Sequence, residues 1–240
     1  FLGSHVADAL SSAGYQVRLF FFFSSPHLKP DQEMIIGDIM NLDQVIEAAR
    51  DCSVVYNFAA IADIDEAHNK PIPTATINVL GNMHVLEAAR IAGARRFVFA
   101  SSVYVYSESG SFYRASKQAA ERFTETYHER YGLDYNILRY GSLYGRRADK
   151  RNGIYRMLFE AVKNHSITYK GSGEAMREYI HVEDAARMSV QVLAPEFANR
   201  HLILTGQEKM RIKDVMTMIS EILPWSVELH FDEANAVHHY

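Results

Sequence analysis

"RRFVFASSVYVYSESGSFYRASK", residues 95–117, holds an apolar run ending in two serines, a polar loop, and a tyrosine four positions before a lysine. Residues 95–102 read as a β-strand, and residues 112–131, closed by Gly132, read as an α-helix. A helix puts residues i and i+4 on one face, so Tyr113 and Lys117 project together. An ammonium about 5 Å from a phenol, at an effective dielectric of about 20, favours the phenolate by roughly 3 kcal/mol, or about 2 pKa units. An ordinary phenol, with a pKa of ~10, is a poor base; the pairing predicts that Tyr113 accepts a proton near neutral pH. The same spacing also arises by chance in amphipathic helices, with the aromatic ring in the core and the lysine in water. The third member is Ser102, at the C-terminal end of the strand, where open α/β sheets bind ligands. It can hydrogen-bond the oxygen that Tyr113 deprotonates, although strand-end serines are often plain turn formers.

Outward from this stretch, strand-like runs alternate with helical patterns, which predicts βαβ units around a parallel sheet. A helix over 4–13 stops at Gly14, followed by strands at "YQVRLFFFF", "EMIIGD" and "SVVYNFAA" and a helix over 42–49. One long helix is expected over 73–93 and a further strand at "LDYNILRY". The fold class is α/β, a Rossmann-type doubly wound parallel sheet with a smaller mixed α/β C-terminal lobe. A soft boundary is expected near residue 145: residues 1–145 are read as a dinucleotide-binding domain, whose first strand is expected ahead of Phe1, and residues 146–240 as mostly a mixed lobe, which the resemblance given below implies to be the substrate-binding lobe. "HLILTG" is the segment that can return to the main sheet. Gly3, just ahead of the first helix, fits the last glycine of a pyrophosphate-binding turn, where a missing side chain lets helix and sheet approach.

The bulk composition narrows the classes of function. With 240 residues, 48% hydrophobic and 22% charged, the chain can bury a sizeable core, and a net charge of -4 gives no general attraction to nucleic acid or anionic membrane. No apolar run reaches the ~18 residues of a membrane helix. The single cysteine, Cys52, cannot form an internal disulfide, which suits a reducing, cytoplasmic setting. Eleven histidines include no metal-ligand spacing, and His238 and His239 lie in an irregular tail, so no metal is expected. The basic run from Arg146 to Arg151 is either a lure for a diphosphate or a solvated loop. The start at "FLGSHV" and the end at "AVHHY" are read as ends that can be incomplete.

In order, "FLGSH", "GDIMN", "VVYNFAA", "TINVLGNMHVLEAAR", "FVFASSVYVY", "YRASK", "LRYGSLYG" and "GSGEAMREYIHVEDAAR" resemble the extended short-chain dehydrogenase/reductases, specifically the NAD-dependent epimerase/dehydratase family. The resemblance implies Ser102, Tyr113 and Lys117 as the catalytic triad and NAD as cofactor, NADP remaining open. It implies Phe1, Leu2 and Gly3 at the pyrophosphate, Asp38 and Ile39 at the adenine, and Phe58, Ala59 and Ala60 behind the adenosine ribose. Asn78 would fasten backbone near the site, and Tyr140 and Ser142 would flank nicotinamide and substrate phosphates. Tyr104 and Arg177 would touch a nucleotide-sugar substrate, Arg177 through its diphosphate. Each also has a plainer alternative: Asp38 as a turn residue, Asn78 on a solvated helix face, Arg177 in a surface ion pair. The two long helices, 74–92 and 112–131, would pair in a homodimer.

The departures from the family pattern carry information too. Dehydratases of the family follow the active-site hydroxyl residue with an Asp-Glu pair and decarboxylases keep a glutamate, whereas Ser102 is followed by "VYVY". Elimination and decarboxylation lose their catalytic group, which leaves C4 epimerisation of a UDP-hexose or reduction of a 4-keto sugar. A non-catalytic dinucleotide-binding scaffold is the alternative of another class. The loop from Ser102 to Tyr113 is shorter than is usual in the family, and Ser142 replaces an asparagine. About 20 residues after the glycine turn the fold expects a carboxylate for the adenosine ribose. Phe21 stands there, within four consecutive phenylalanines that would expose apolar surface, and Lys29 is the nearest candidate for a 2'-phosphate.

Overall fold

The computed structural model of the chain describes residues 1–233, so that His238 and His239 lie outside the described residues. The central sheet is built around β4 and β5, strands buried on both faces. β4 (Arg96–Ser102) lies between β3 (Val54–Asn57) and β5 (Asp134–Tyr140), with β9 (Arg200–Leu204) beyond β5, all parallel. The period of two along β4 sends Phe97 and Phe99 to one face and Val98 to the other, and all three are at most 1% exposed. The Phe97 face packs on α2 (Leu42–Ala49), α5 (Gly81–Ile91) and α6 (Ser111–Tyr131) through Val45, Leu86 and Ala120. The Val98 face packs on α8 (Val182–Gln191) through Ala185, with Leu138 and Leu204 alongside.

Local signals set the helix ends. Asn41 caps α2, its side chain accepting from Gln44 N at 3.2 Å. α6 runs for 21 residues between Gly110 and Gly132, both at positive φ. The first helix, α1, spans Leu2–Ser12, and β1 (Val17–Phe21) and β2 (Gln32–Ile36) follow as a parallel pair. Among the described residues β1 pairs only with β2, and β3 only with β4.

The single helix expected over 73–93 is in fact broken. After α3 (Ile64–Asn69), a short α4 (Pro71–Ala75) leads into a π-helical turn, Thr76–Leu80, and only then into α5. The wider turn carries Asn78 inward, where its amide holds both backbone groups of Ile61, at 2.7 and 3.0 Å, and reaches Ser116 Oγ at 2.9 Å. No propensity in the sequence announces this, because the distortion is held by partners 17 and 38 residues away.

After β5 the chain leaves the main sheet at Gly141, where a Cβ would lie 2.5 Å from Glu178 O, so only glycine fits. β6 (Ser142–Tyr144) then joins β8 (Met176–His181) and β10 (Lys209–Arg211), while β7 (Ser166–Tyr169) pairs with β11 (Glu228–Phe231). α7 (Gly153–Asn164) and α9 (Ile212–Ile222) cover these strands through Met157, Ile167 and Met216. β9 rejoins the main sheet beside β5, with Tyr140 opposite Leu204. Among the described residues no helix is long and apolar enough to cross a membrane.

Candidate active site

β4 delivers Ser102 to the C-terminal edge of the sheet, and the first turn of α6 lays Tyr113 over it. The Ser102 side chain faces the phenol closely enough to favour its ionised form, and Ser102 Oγ accepts from Tyr104 N at 3.2 Å. Lys117, one turn along, lies on the same face: its Nζ sits 5.7 Å from the centroid of the Tyr113 ring and donates to Ala100 O at 2.7 Å. Tyr113 and Lys117 are 8% and 4% exposed, so the chance reading, with the lysine in water, does not describe this helix.

The electrostatic expectation for Tyr113 needs correction. Burial pushes its phenol up to about 12, and the Ser102 side chain only partly opposes this. Burial likewise pushes Lys117 down to about 8, against the charge of Glu121. Attraction between the two groups is outweighed by desolvation, which penalises both charged forms and dominates where both groups are buried.

The remaining predicted residues divide by position. Tyr104 lies edge-on to Tyr113, ring centroids 6.2 Å apart, and so borders the triad. Asn78 fastens Ile61 and, through Ser116, the turn of α6 that carries Tyr113 O. Leu2 packs on the sheet, while exposed Phe1 precedes α1 without a side-chain cap or an acidic first turn. Gly3 faces Phe58, but a Cβ there would lie 3.5 Å away, an ordinary contact, so close packing does not demand glycine. Asp38 caps the turn before α2, accepting from Met40 N at 2.9 Å, and Ile39 packs on Gly81. Ala59 N is held by Asn57 Oδ1 at 3.0 Å, which shapes the strand end that continues to Ala60.

Tyr140 is not turned toward the triad: its hydroxyl bonds Ser189 Oγ at 2.6 Å within the core beneath α8. Ser142 and Arg177 lie on the neighbouring strands β6 and β8, and Arg177, 8% exposed, donates to Met176 O at 2.8 Å. The arginines of the basic run form ion pairs, Arg147 with Asp8 at 2.7 Å, Arg146 with Glu183 and Arg151 with Asp149 each at 2.5 Å, while Lys150 lies over the Phe159 ring, 4.8 Å from its centroid. Lys29 lies 3.5 Å from Asp8. Of the four phenylalanines, Phe20 turns into the core, and exposed Phe21, Phe22 and Phe23 shelter one another with centroids 4.4 to 4.6 Å apart.

These residues fit a dinucleotide at several points. The uncapped amides opening α1 suit a pyrophosphate. Lys117 has three donors and donates to one described acceptor, Ala100 O, leaving donors for a ribose. The adenosine ribose finds no carboxylate at Phe21.

The model of the NAD dependent epimerase/dehydratase family matches residues 1–203. The chain belongs to this family. A Methanocaldococcus jannaschii relative, provisionally named as a UDP-glucose 4-epimerase, is 30% identical over 215 residues, covering 80% of this chain and 70% of its own. The UDP-glucuronic acid 4-epimerase of Bacillus cereus, solved with UDP-glucuronic acid and NAD, superimposes with a TM-score of 0.88 at 25% identity, covering 96% of this chain and 82% of its own. The Thermotoga maritima UDP-glucose 4-epimerase, at 23% identity and a TM-score of 0.90 over 96% of this chain and 82% of its own, shares the fold.

One group escaped the sequence reading. Glu121, one turn beyond Lys117, is 5% exposed and accepts from Ser101 Oγ at 2.5 Å and from Arg139 at 2.6 and 2.9 Å. Its spacing of four from Lys117 was the available signal, but an acidic residue on a long helix ordinarily reads as solvated. Replacing Asn78 by alanine is expected to strand the two Ile61 backbone groups and destabilise the protein by about 1–3 kcal/mol, measured by urea denaturation.

Proposed function

We propose that this chain is an NAD-dependent nucleotide-sugar epimerase that inverts C4 of a UDP-linked hexose through a transient 4-keto sugar. The observation that carries the reading is the buried Ser102–Tyr113–Lys117 constellation with tyrosine, not a carboxylate, at position 104. Bound NAD supplies the hydride acceptor and a positive ring charge. In the phenolate form, which the positive charges of Lys117 and of the bound NAD ring would favour against burial, Tyr113 Oη takes the proton of the sugar C4 hydroxyl and later returns it, while Ser102 Oγ holds the same oxygen in line. Lys117, fixed on Ala100 O, orients the cofactor ribose and supplies a positive charge beside Tyr113. The buried setting excludes water from the phenol, so the proton passes between Tyr113 and the sugar rather than to solvent.

The Bacillus cereus and Methanocaldococcus relatives support a UDP-sugar as substrate. Arg177 on β8 and Ser142 on β6, in the region after residue 145 and at its edge, are the groups we assign to the diphosphate. A homodimer belongs to the same reading, supported by Ile72 and Phe112, 75% and 46% exposed, on α4 and α6. Sedimentation at micromolar protein checks it, a dimer mass being expected. A cytoplasmic setting is supported by the single free thiol, Cys52.

Incubation with a panel of UDP-sugars and product analysis tests the activity. The 4-epimer is expected without net NADH and without a 4,6-dehydration product, since no acid stands beside Ser102. Steady NADH release with no interconversion would assign the triad to a dehydrogenase or reductase instead.

A further inference from the structure

The network behind Lys117 serves no step described so far. Glu121 and Arg139 form an ion pair with side chains only 7% and 15% exposed, which is costly to bury and strongly disruptive when halved. Its connections all lead toward the triad. Ser101, next to Ser102, donates to Glu121 Oε1 at 2.5 Å, and Arg139 also contacts Tyr106, in the turn (Val103–Tyr106) that follows Ser102. On the far side His201 of β9 accepts from Arg139 on Nδ1 at 2.8 Å and reaches Glu125 through Nε2 at 3.0 Å.

We propose that Glu121 is a positioning residue for the reaction, and this rests on the epimerase reading: clamped by Ser101 and Arg139, its carboxylate fixes α6 on β4 and supplies the negative charge required by the buried Lys117 ammonium. The charged and titratable groups around this pair are few. α6 itself contributes Tyr113 and Glu125, the turn after β4 contributes Tyr104 and Tyr106, β5 contributes Arg139, and β9 contributes His201. Among them Glu121 is the named charge that acts to hold the proton on Lys117, opposing burial. Ser101 and Ser102 alternate along β4, so the strand that presents the catalytic hydroxyl is pinned, one residue earlier, to the helix that presents the phenol. Lys117 and Glu121 then act as two turns of one ruler, with Ala100 O and Ser101 Oγ as successive marks on the strand.

The test compares wild type, Glu121→Asp, Glu121→Gln and the double variant Glu121→Gln/Arg139→Gln, which removes the cation that the single change would orphan. Two pH profiles are recorded for each: NADH affinity by fluorescence titration, and kcat/KM for UDP-sugar interconversion. Loss of the carboxylate is expected to move the alkaline limb of both profiles down by about one pH unit, a tenfold change in proton affinity, with Glu121→Asp restoring it in part. A merely structural residue would change melting temperature and amplitude but leave that limb in place. Profiles of folded Glu121→Gln that coincide with wild type would overturn the proposal, while the double variant, which removes both charges of the pair, is expected to lie closer to wild type than Glu121→Gln does. A wild type that binds NADH but interconverts no sugar would overturn the epimerase reading alone, and the fluorescence profiles would still decide the role of Glu121.

Discussion

Tyr113→Phe is expected to lower kcat for UDP-sugar interconversion about 10³-fold while the protein still binds NAD, the loss being that of a positioned acid–base group. The change removes one oxygen and keeps the ring, so the edge-on contact with Tyr104 and the packing of α6 persist. Lys117 keeps its bond to Ala100 O, and the amides opening α1 are untouched, so the groups assigned to the cofactor remain. What disappears is the atom that exchanges a proton with the sugar. Ser102 cannot replace it, since an unassisted hydroxyl is a far weaker base than a phenolate. NAD affinity by calorimetry, with product formation over hours, gives both quantities on one preparation. Activity within tenfold of wild type would remove Tyr113 from the chemistry.

Lys117→Met is expected to abolish turnover and yet stabilise the protein by about 2 kcal/mol at neutral pH. Burial holds the folded-state amine at about 8, whereas the unfolded value is ~10.4. The difference costs the folded state about 3 kcal/mol wherever both states carry the proton. Methionine removes that cost, fills similar space beside Phe99, and gives up one hydrogen bond to Ala100 O worth about 1 kcal/mol. The sign with pH follows from proton counting. Between about 8 and ~10.4 the unfolded chain binds more protons than the folded one, so wild-type stability rises through that window. The advantage of the variant is therefore full below pH 8 and shrinks as pH climbs. Urea titrations of both proteins at neutral and alkaline pH measure it, and a variant less stable than wild type at neutral pH would contradict the account. Such an exchange of stability for function is common where a site must keep a charge buried.

The opposite fates of two carboxylates explain much of what could be read in advance. Asp38 reads as a turn residue from its neighbours alone, and it does cap a turn, since its partner Met40 is two residues away. Glu121 is singled out by nothing close to it in the chain beyond its spacing from Lys117 and is only 5% exposed, since its partners lie 18 and 20 residues away on two strands. The same distinction separates α2, whose extent follows from its own residues and the Asn41 cap, from the π-helical turn that Asn78 holds open through Ile61.

By itself the sequence determined the alternation of strand and helix, the shared face of Tyr113 and Lys117, and the lack of an acid beside Ser102. These are properties of residues close together along the chain, where a period of 2 or 3.6 is enough to say which way a side chain points. Only the tertiary structure decided that Tyr113 is pushed up rather than down, that Arg147 is spent on Asp8, and that Glu121 closes a network behind Lys117. The reason is physical: desolvation and ion pairing depend on everything within a few ångströms, and in a doubly wound fold those neighbours come from strands and helices far apart in the chain.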